Sequence, residues 1–102
     1  MNNLCSVVRF NVKEGFEGKF VGACKASPRS NAKFCKLISL EGNEFVSVAE
    51  MPDILNAIQD EEEGIPWLDT VEHMLIKYGD SRTDAYSGLV VAGWENGKPT
   101  DH

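Results

Sequence analysis

The residues best suited to chemistry gather in GIPWLDTVEHML, residues 64 to 75, which carries Trp67, Glu72 and His73. At an advance of about 100° per residue along a helix, Ile65, Trp67, Leu68, Val71, Met74, Leu75, Ile76 and Tyr78 share one apolar arc. His73 falls in the middle of the opposite face, with Asp69 and Lys77 four residues to either side, the spacing of a solvated charge row. Trp67 is therefore read as a core anchor and His73 as a surface residue. Glu72 breaks the pattern by falling inside the apolar arc. A carboxylate there must reach an edge, pair with a cation such as Arg9, or sit desolvated with a raised pKa. The last condition makes a general base that works near neutral pH, so Glu72 is the candidate catalytic residue.

Arg9 and Asn11 lie two apart in LCSVVRFNVK and share a strand face. They would orient a polar substrate atom, or pair across a dimer. Tyr86 begins the last strand beside Ser87, where a pocket would open, with ordinary strand packing as the alternative. The three cysteines, Cys5, Cys24 and Cys35, show no CxxC and no zinc spacing, and read as buried thiols of a reducing compartment. No Ser-His-Asp order, phosphate loop or metal motif is present, so neither a nucleophile nor a metal or other cofactor is expected. Lys25, Arg29, Lys33 and Lys36 form a basic cluster. It is either an anion site or a patch that pairs with the acidic remainder of the chain.

These groups need elements to position them. In residues 4 to 13, Leu4, Val8, Phe10 and Val12 alternate with Cys5, Val7, Arg9, Asn11 and Lys13, which predicts a strand with one partly polar face. EGFEGKFVGACKAS follows with Phe16, Phe20, Ala23 and Cys24 at helical spacing. FCKLISLE and EFVSVAEM, separated by Gly42 and Asn43, predict a hairpin. Pro52 suits the first turn of a second helix with Ile54, Leu55 and Ile58 as its apolar stripe. EEEG, residues 61 to 64, is expected to stop that helix, and Pro66 to open another piece running to about Tyr78. AYSGLVVAGW is the last strand. The expected division is one domain over 1–94 and a polar, mobile tail over 95–102.

The order β-α-β-β-α-β predicts an α+β fold of the ferredoxin-like kind, with four antiparallel strands and two helices on one face. The helices cover one face only. The other would be closed by a second copy, sheet to sheet. A chain of 102 residues buries roughly 60 to 70 % of its unfolded surface and would gain stability from such a partner.

The net charge of −6 argues against nucleic acid and anionic membrane surfaces as partners. That charge is uneven, with a balance of +5 over residues 1 to 36 and −11 beyond. No apolar run approaches a membrane span, and MNNLCSVVRF lacks the pattern of a signal peptide, so a cytoplasmic location is expected.

VVRFNVKEGFEGKFVGACKA resembles the opening of the antibiotic-biosynthesis monooxygenase-like domains of the dimeric α+β barrel group. EFVSVAEM with PDILNAI resembles their third strand and second helix, and SGLVV their last strand. The resemblance covers residues 4 to 92. It implies a homodimer whose two sheets form a barrel, with a pocket between sheet and helices in each copy. Its members include cofactor-free oxygenases of aromatic polyketides or quinols, haem-degrading oxygenases, and proteins with no established reaction. The position matching the asparagine of the haem-degrading members falls near Val8, and that role is not carried over. The resemblance makes a cofactor-free oxygenase of a small aromatic or quinone-like substrate the first expectation. The residues themselves supply Glu72 as base, Arg9 and Asn11 as orienting groups, and Trp67 and Tyr86 beside the substrate. A non-catalytic small-molecule-binding or stress-response accessory protein is the alternative, and a haem-binding protein is a third reading.

Overall fold

Nine residues of alternating pattern build the central strand, β1 (Leu4–Val12), in a computed structural model that describes residues 3–29 and 31–100. Its even-numbered residues turn inward, and Phe10 and Val12 are buried. Helix α1 (Glu17–Ala26) follows, then β2 (Phe34–Ser39) and β3 (Glu44–Met51). Gly42 supplies the positive φ of +68° that the turn between β2 and β3 demands. β3 alternates without a fault, burying Phe45, Ser47, Ala49 and Met51. β1 lies between β3 and β5 (Asp84–Leu89), all antiparallel, giving the strand order β2-β3-β1-β5. With two helices, that is the expected ferredoxin-like plait.

Helix α2 (Ile54–Val71) departs from expectation, because it runs unbroken through the three glutamates, Gly64 and Pro66. Proline inside a helix removes one backbone donor and costs about 3 kcal/mol, so packing must offset the loss. It does so at the helix end, where Trp67, Leu68 and Val71 meet the core cluster of Phe10, Phe20 and Phe45. The start is set by Asp53, whose Oδ1 accepts from the Asn56 backbone N–H at 2.9 Å. Pro52 thus sits one residue before the cap, not in the first turn.

The helix does not reach Tyr78. It ends at Val71, a single 3₁₀ turn spans Glu72–Met74, and Leu75–Ile76 form a short strand, β4, paired with Asn11 and Val12 of β1. Burial of Met74 and Leu75 against the sheet side explains the turn, since a continued helix would carry them past it.

The core is aromatic. Phe20 is fully buried, with ring centroids 5.1 Å from Phe10, 5.4 Å from Phe45 and 6.3 Å from Trp67. The apolar stripe at the start of α2 is not part of it: Ile54, Leu55 and Ile58 are all exposed, Leu55 by 74 %. Helix α2 is seated at its C-terminal end and stands off the sheet elsewhere.

The C-terminal segment, expected as a polar, mobile tail from residue 95, includes a hairpin. β5 stops at Leu89, and Gly93–Glu95 (β6) pairs with Lys98–Thr100 (β7) in a separate two-stranded sheet. Asn96 and Gly97 both take positive φ, 53° and 79°, as a tight hairpin turn requires.

Candidate functional site

Because α2 stands away from the sheet, an open cleft of about 1240 Å³ lies between the two helices and the inner sheet face. Its floor is the inward set of β1 and β3, with Val8, Phe10, Phe45 and Ser47, and its walls include Cys24 of α1 and Ile58 and Trp67 of α2. Trp67 stands edge-on to Phe10, with centroids 6.2 Å apart and an interplanar angle of 85°. Four aromatic residues, Phe10, Phe45, Trp67 and Tyr86, therefore border one cavity, a lining suited to a planar apolar molecule.

The mouth is tied by charge. Arg29, in the segment between α1 and β2, donates from Nε and Nη2 to the two carboxylate oxygens of Asp60 on α2, at 3.0 and 2.8 Å. Its Nη1 donates to the Cys35 sulfur at 3.3 Å. One residue thus joins the connecting segment, α2 and β2. Asn31 adds a second stitch to α2, its Nδ2 donating to Glu63 at 2.9 Å. Lys33 lies 3.9 Å from Glu50. Two members of the basic cluster, Arg29 and Lys33, therefore pair with acids of the same chain. Sequence reasoning missed the Arg29–Asp60 clasp, although Asp60 and Glu63 at i and i+3 on one helix face were a usable signal.

Burial pushes the Cys24 thiol up to about 11, with the neighbouring Cys35 adding to the rise and Arg29 opposing it. It stays protonated near neutral pH and is a poor nucleophile. Burial, followed by the charge of Glu50, also raises the Cys5 thiol.

The residues expected to carry function are not brought together. Trp67 borders the cleft. Arg9 and Asn11 lie on the opposite, open face of the sheet, as the β1–β3 register requires. There Arg9 Nη2 donates to both Glu44 carboxylate oxygens at 3.1 Å, and its Nη1 lies 3.9 Å from Asp84. Glu44 also accepts from the Tyr78 hydroxyl at 3.2 Å. The pairing with Glu44 holds the Arg9 guanidinium above its ordinary value, and burial followed by Glu44 raises Tyr78. Tyr86, on the edge strand, touches both the cleft and the open face, and its hydroxyl donates to Asp84 at 3.0 Å, which raises its own pKa.

Glu72 is outside the cleft lining. The apolar arc that enclosed it on a continuous helix ends with the helix at Val71. Its side chain is 51 % exposed and pairs at 3.6 Å with Arg82, which also pairs with Asp69. The candidate partner Arg9 is thereby corrected to Arg82. His73 is exposed, edge-on to Phe16 at 6.0 Å. Among the described residues, no group of three or more His, Cys, Asp or Glu is placed to hold a metal ion. No helix among them is long and apolar enough to cross a membrane.

No protein-family model matches the chain, and no curated protein matches it. Solved structures do. A candidate antibiotic biosynthesis monooxygenase from Nitrosomonas europaea superposes with a TM-score of 0.72 at 13 % identity, over 87 % of this chain and 90 % of that one. A protein of unknown function from Nitrosomonas europaea gives 0.73 at 16 % identity, over 93 % and 95 % of the two chains. A candidate antibiotic biosynthesis monooxygenase from Bordetella bronchiseptica gives 0.67 at 13 % identity, over 89 % and 99 %. The fold is that of the antibiotic biosynthesis monooxygenase-like proteins, as the sequence resemblance implied. At such identities the likeness concerns architecture, and the site must be argued from its own residues.

Proposed function

We propose that this protein is a homodimer that binds a small aromatic or quinone-like organic molecule in the cleft of each copy. The cleft itself carries the proposal: about 1240 Å³ of open space bordered by Phe10, Phe45 and Trp67. Planar rings gain most from stacking and desolvation in such a lining, and polar groups such as Ser47 on its floor and the Arg29–Asp60 pair at its rim would set orientation. Support for the second copy comes from the bare sheet face. The register puts Val7, Val46, Val48, Ile38 and Phe34 there beside Arg9, Glu44 and Asp84. An apolar stripe flanked by charges is the kind of surface that two copies bury against each other. In that arrangement Arg9 and Asn11 serve the interface.

Cofactor-free oxygenation is the second reading, favoured by the fold shared with the candidate monooxygenases. There the substrate's own carbanion reduces dioxygen, and the cleft supplies desolvation and orientation. Glu72, placed at the end of α2 and paired with Arg82, is poorly sited as the base. The rim carboxylates Asp60, Glu61 and Glu63 are nearer to hand.

Titrating the Trp94→Phe variant with a naphthoquinone tests the binding reading, because Trp67 is then the sole tryptophan reporter. Saturable quenching of its emission is the expected result, and emission that never saturates with added quinone contradicts it. Oxygen uptake with the matching naphthoquinol, above the rate in buffer, separates the oxygenase from a binding protein.

A further inference from the structure

All three cysteines border the cleft, but only Cys35 sits where a sulfur is free to react. It lies opposite the buried Ala49 in the β2–β3 pairing, so its side chain faces inward. An inward residue is ordinarily packed over. Cys35 is exposed because α2 stands off the sheet, and solvent reaches its sulfur from the cleft. Burial raises the thiols of Cys24 and Cys5, which favours their protonated, unreactive form.

Two polar groups surround the Cys35 sulfur. Arg29 Nη1 donates to it at 3.3 Å, and Ser47 Oγ lies 3.6 Å away. Reactive cysteines occupy such partly open positions beside a cation, whereas apolar burial leaves them inert. Ser47 is a separate pointer to a ligand. It is 8 % exposed, on the cleft floor, and the sulfur is its hydroxyl's only hydrogen-bond partner among the described residues. Sulfur is a weak partner, so this buried hydroxyl keeps the capacity to donate to a stronger acceptor. A carbonyl oxygen entering the cleft would be one. Nucleophile and donor thus stand side by side at the wall of a cavity bordered by aromatic rings.

We propose that Cys35 captures quinones bound in the cleft as covalent thioethers, with Ser47 donating to a ring carbonyl oxygen. The inference rests on the aromatic-ligand reading above and narrows the ligand to quinones with an unsubstituted carbon beside a carbonyl. In the step, the S–H bond breaks and the sulfur, as thiolate, forms a bond to that carbon. The ring C=C electron pair passes to the carbonyl oxygen conjugated with it, which takes up the released proton. The hydrogen left on the attacked carbon then moves, through water, to the second carbonyl oxygen. The product is a hydroquinone thioether that holds every atom of both reactants, so no further oxidant or reductant is consumed. Each chain reacts once, which makes the protein a stoichiometric trap for such electrophiles.

Incubation of the intact chain with naphthoquinone, followed by intact mass and peptide mapping, tests the capture. One quinone per chain is expected, on Cys35, added at least about tenfold faster than on Cys5 or Cys24. Cys35→Ser, checked by circular dichroism, should take up none in the same time. A naphthoquinone with methyl groups on both free ring carbons keeps the flat ring but cannot form the hydroquinone thioether. In the Trp94→Phe chain this blocked quinone reads cleft binding through Trp67, and it should slow the labelling of Cys35 as it fills the cleft. If its quenching of Trp67 saturates while naphthoquinone leaves Cys35 free, or labels the three cysteines at one rate, the capture is overturned and the cleft reading stands. If the blocked quinone neither quenches saturably nor slows the labelling, the cleft reading falls and the capture falls with it.

Discussion

Arg29 grips both carboxylate oxygens of Asp60 while its remaining donor reaches the Cys35 sulfur, so the loop after α1, helix α2 and strand β2 meet at one guanidinium. The residues lie 31 positions apart in sequence. This clasp is what holds the standing half of α2 over the cleft, where aliphatic packing does not.

Breaking the clasp should therefore loosen the helix more than it unfolds the protein. Asp60 is 14 % exposed and Arg29 34 %. Removing one partner from a pair so placed costs about 1 kcal/mol, well short of a fully buried pair. Asp60→Asn is expected to lower the urea midpoint by that amount with an unchanged slope, and to speed amide exchange in residues 54 to 63. An unaltered exchange pattern would show that the clasp holds nothing open or shut.

The Cys24 thiol makes stability depend on pH in the alkaline range. Its ordinary value is 9.0, and burial carries it to about 11 in the folded chain. Between these values the unfolded chain has lost the proton and the folded chain has kept it. Stability is thus fully present below about pH 9 and falls as pH rises toward 11. The loss is on the order of 1–2 kcal/mol once partial solvent access is allowed for. Urea midpoints at pH 8, 9 and 10 for wild type and Cys24→Ala should diverge in slope, the variant having lost this component. Parallel curves would assign the alkaline loss to other groups.

Phe20 is the keystone of the core, fully buried among the rings of Phe10, Phe45 and Trp67. Phe20→Ala should cost about 3–5 kcal/mol, a large share of the stability of a domain this size. Calorimetry is expected to show a strongly lowered or absent transition. A loss under about 1 kcal/mol would mean that the site collapses around the smaller side chain.

Glu72→Gln separates the sequence-level expectation from the observed placement. Its carboxylate is half exposed and paired only with Arg82, so the change should shift stability by less than about 0.5 kcal/mol. Naphthoquinone affinity should stay at the wild-type value, and any oxygen uptake likewise. A variant that binds normally but loses oxygen uptake would restore Glu72 as the base.

Much of the architecture was legible because it rests on local patterns. The alternation in β1 assigned Phe10 and Val12 to one face and Arg9 and Asn11 to the other, and Gly42 marked the hairpin. Errors arose where tertiary packing overrode local signals. Three glutamates, Gly64 and Pro66 read as a break, yet anchorage of Trp67 and Val71 carries α2 through them. Once the helix ends at Val71, the angular argument that placed Glu72 among apolar residues no longer applies. The C-terminal hairpin was written in Asn96-Gly97, but its strands, Gly93–Glu95 and Lys98–Thr100, are three residues each and too short to show an alternation. The clasp of Arg29 on Asp60 joins distant segments: helical spacing puts Asp60 and Glu63 on one face, but does not say which cation meets them.

The bare side of the sheet is the most consequential feature of the molecule, since the interface roles proposed for Arg9 and Asn11 depend on a second copy lying over it. Sedimentation velocity of the wild-type chain at low micromolar concentration measures this directly. The expected species has twice the 11.3 kDa mass of one chain. A single boundary at the mass of one chain, unchanged as concentration rises, would contradict it.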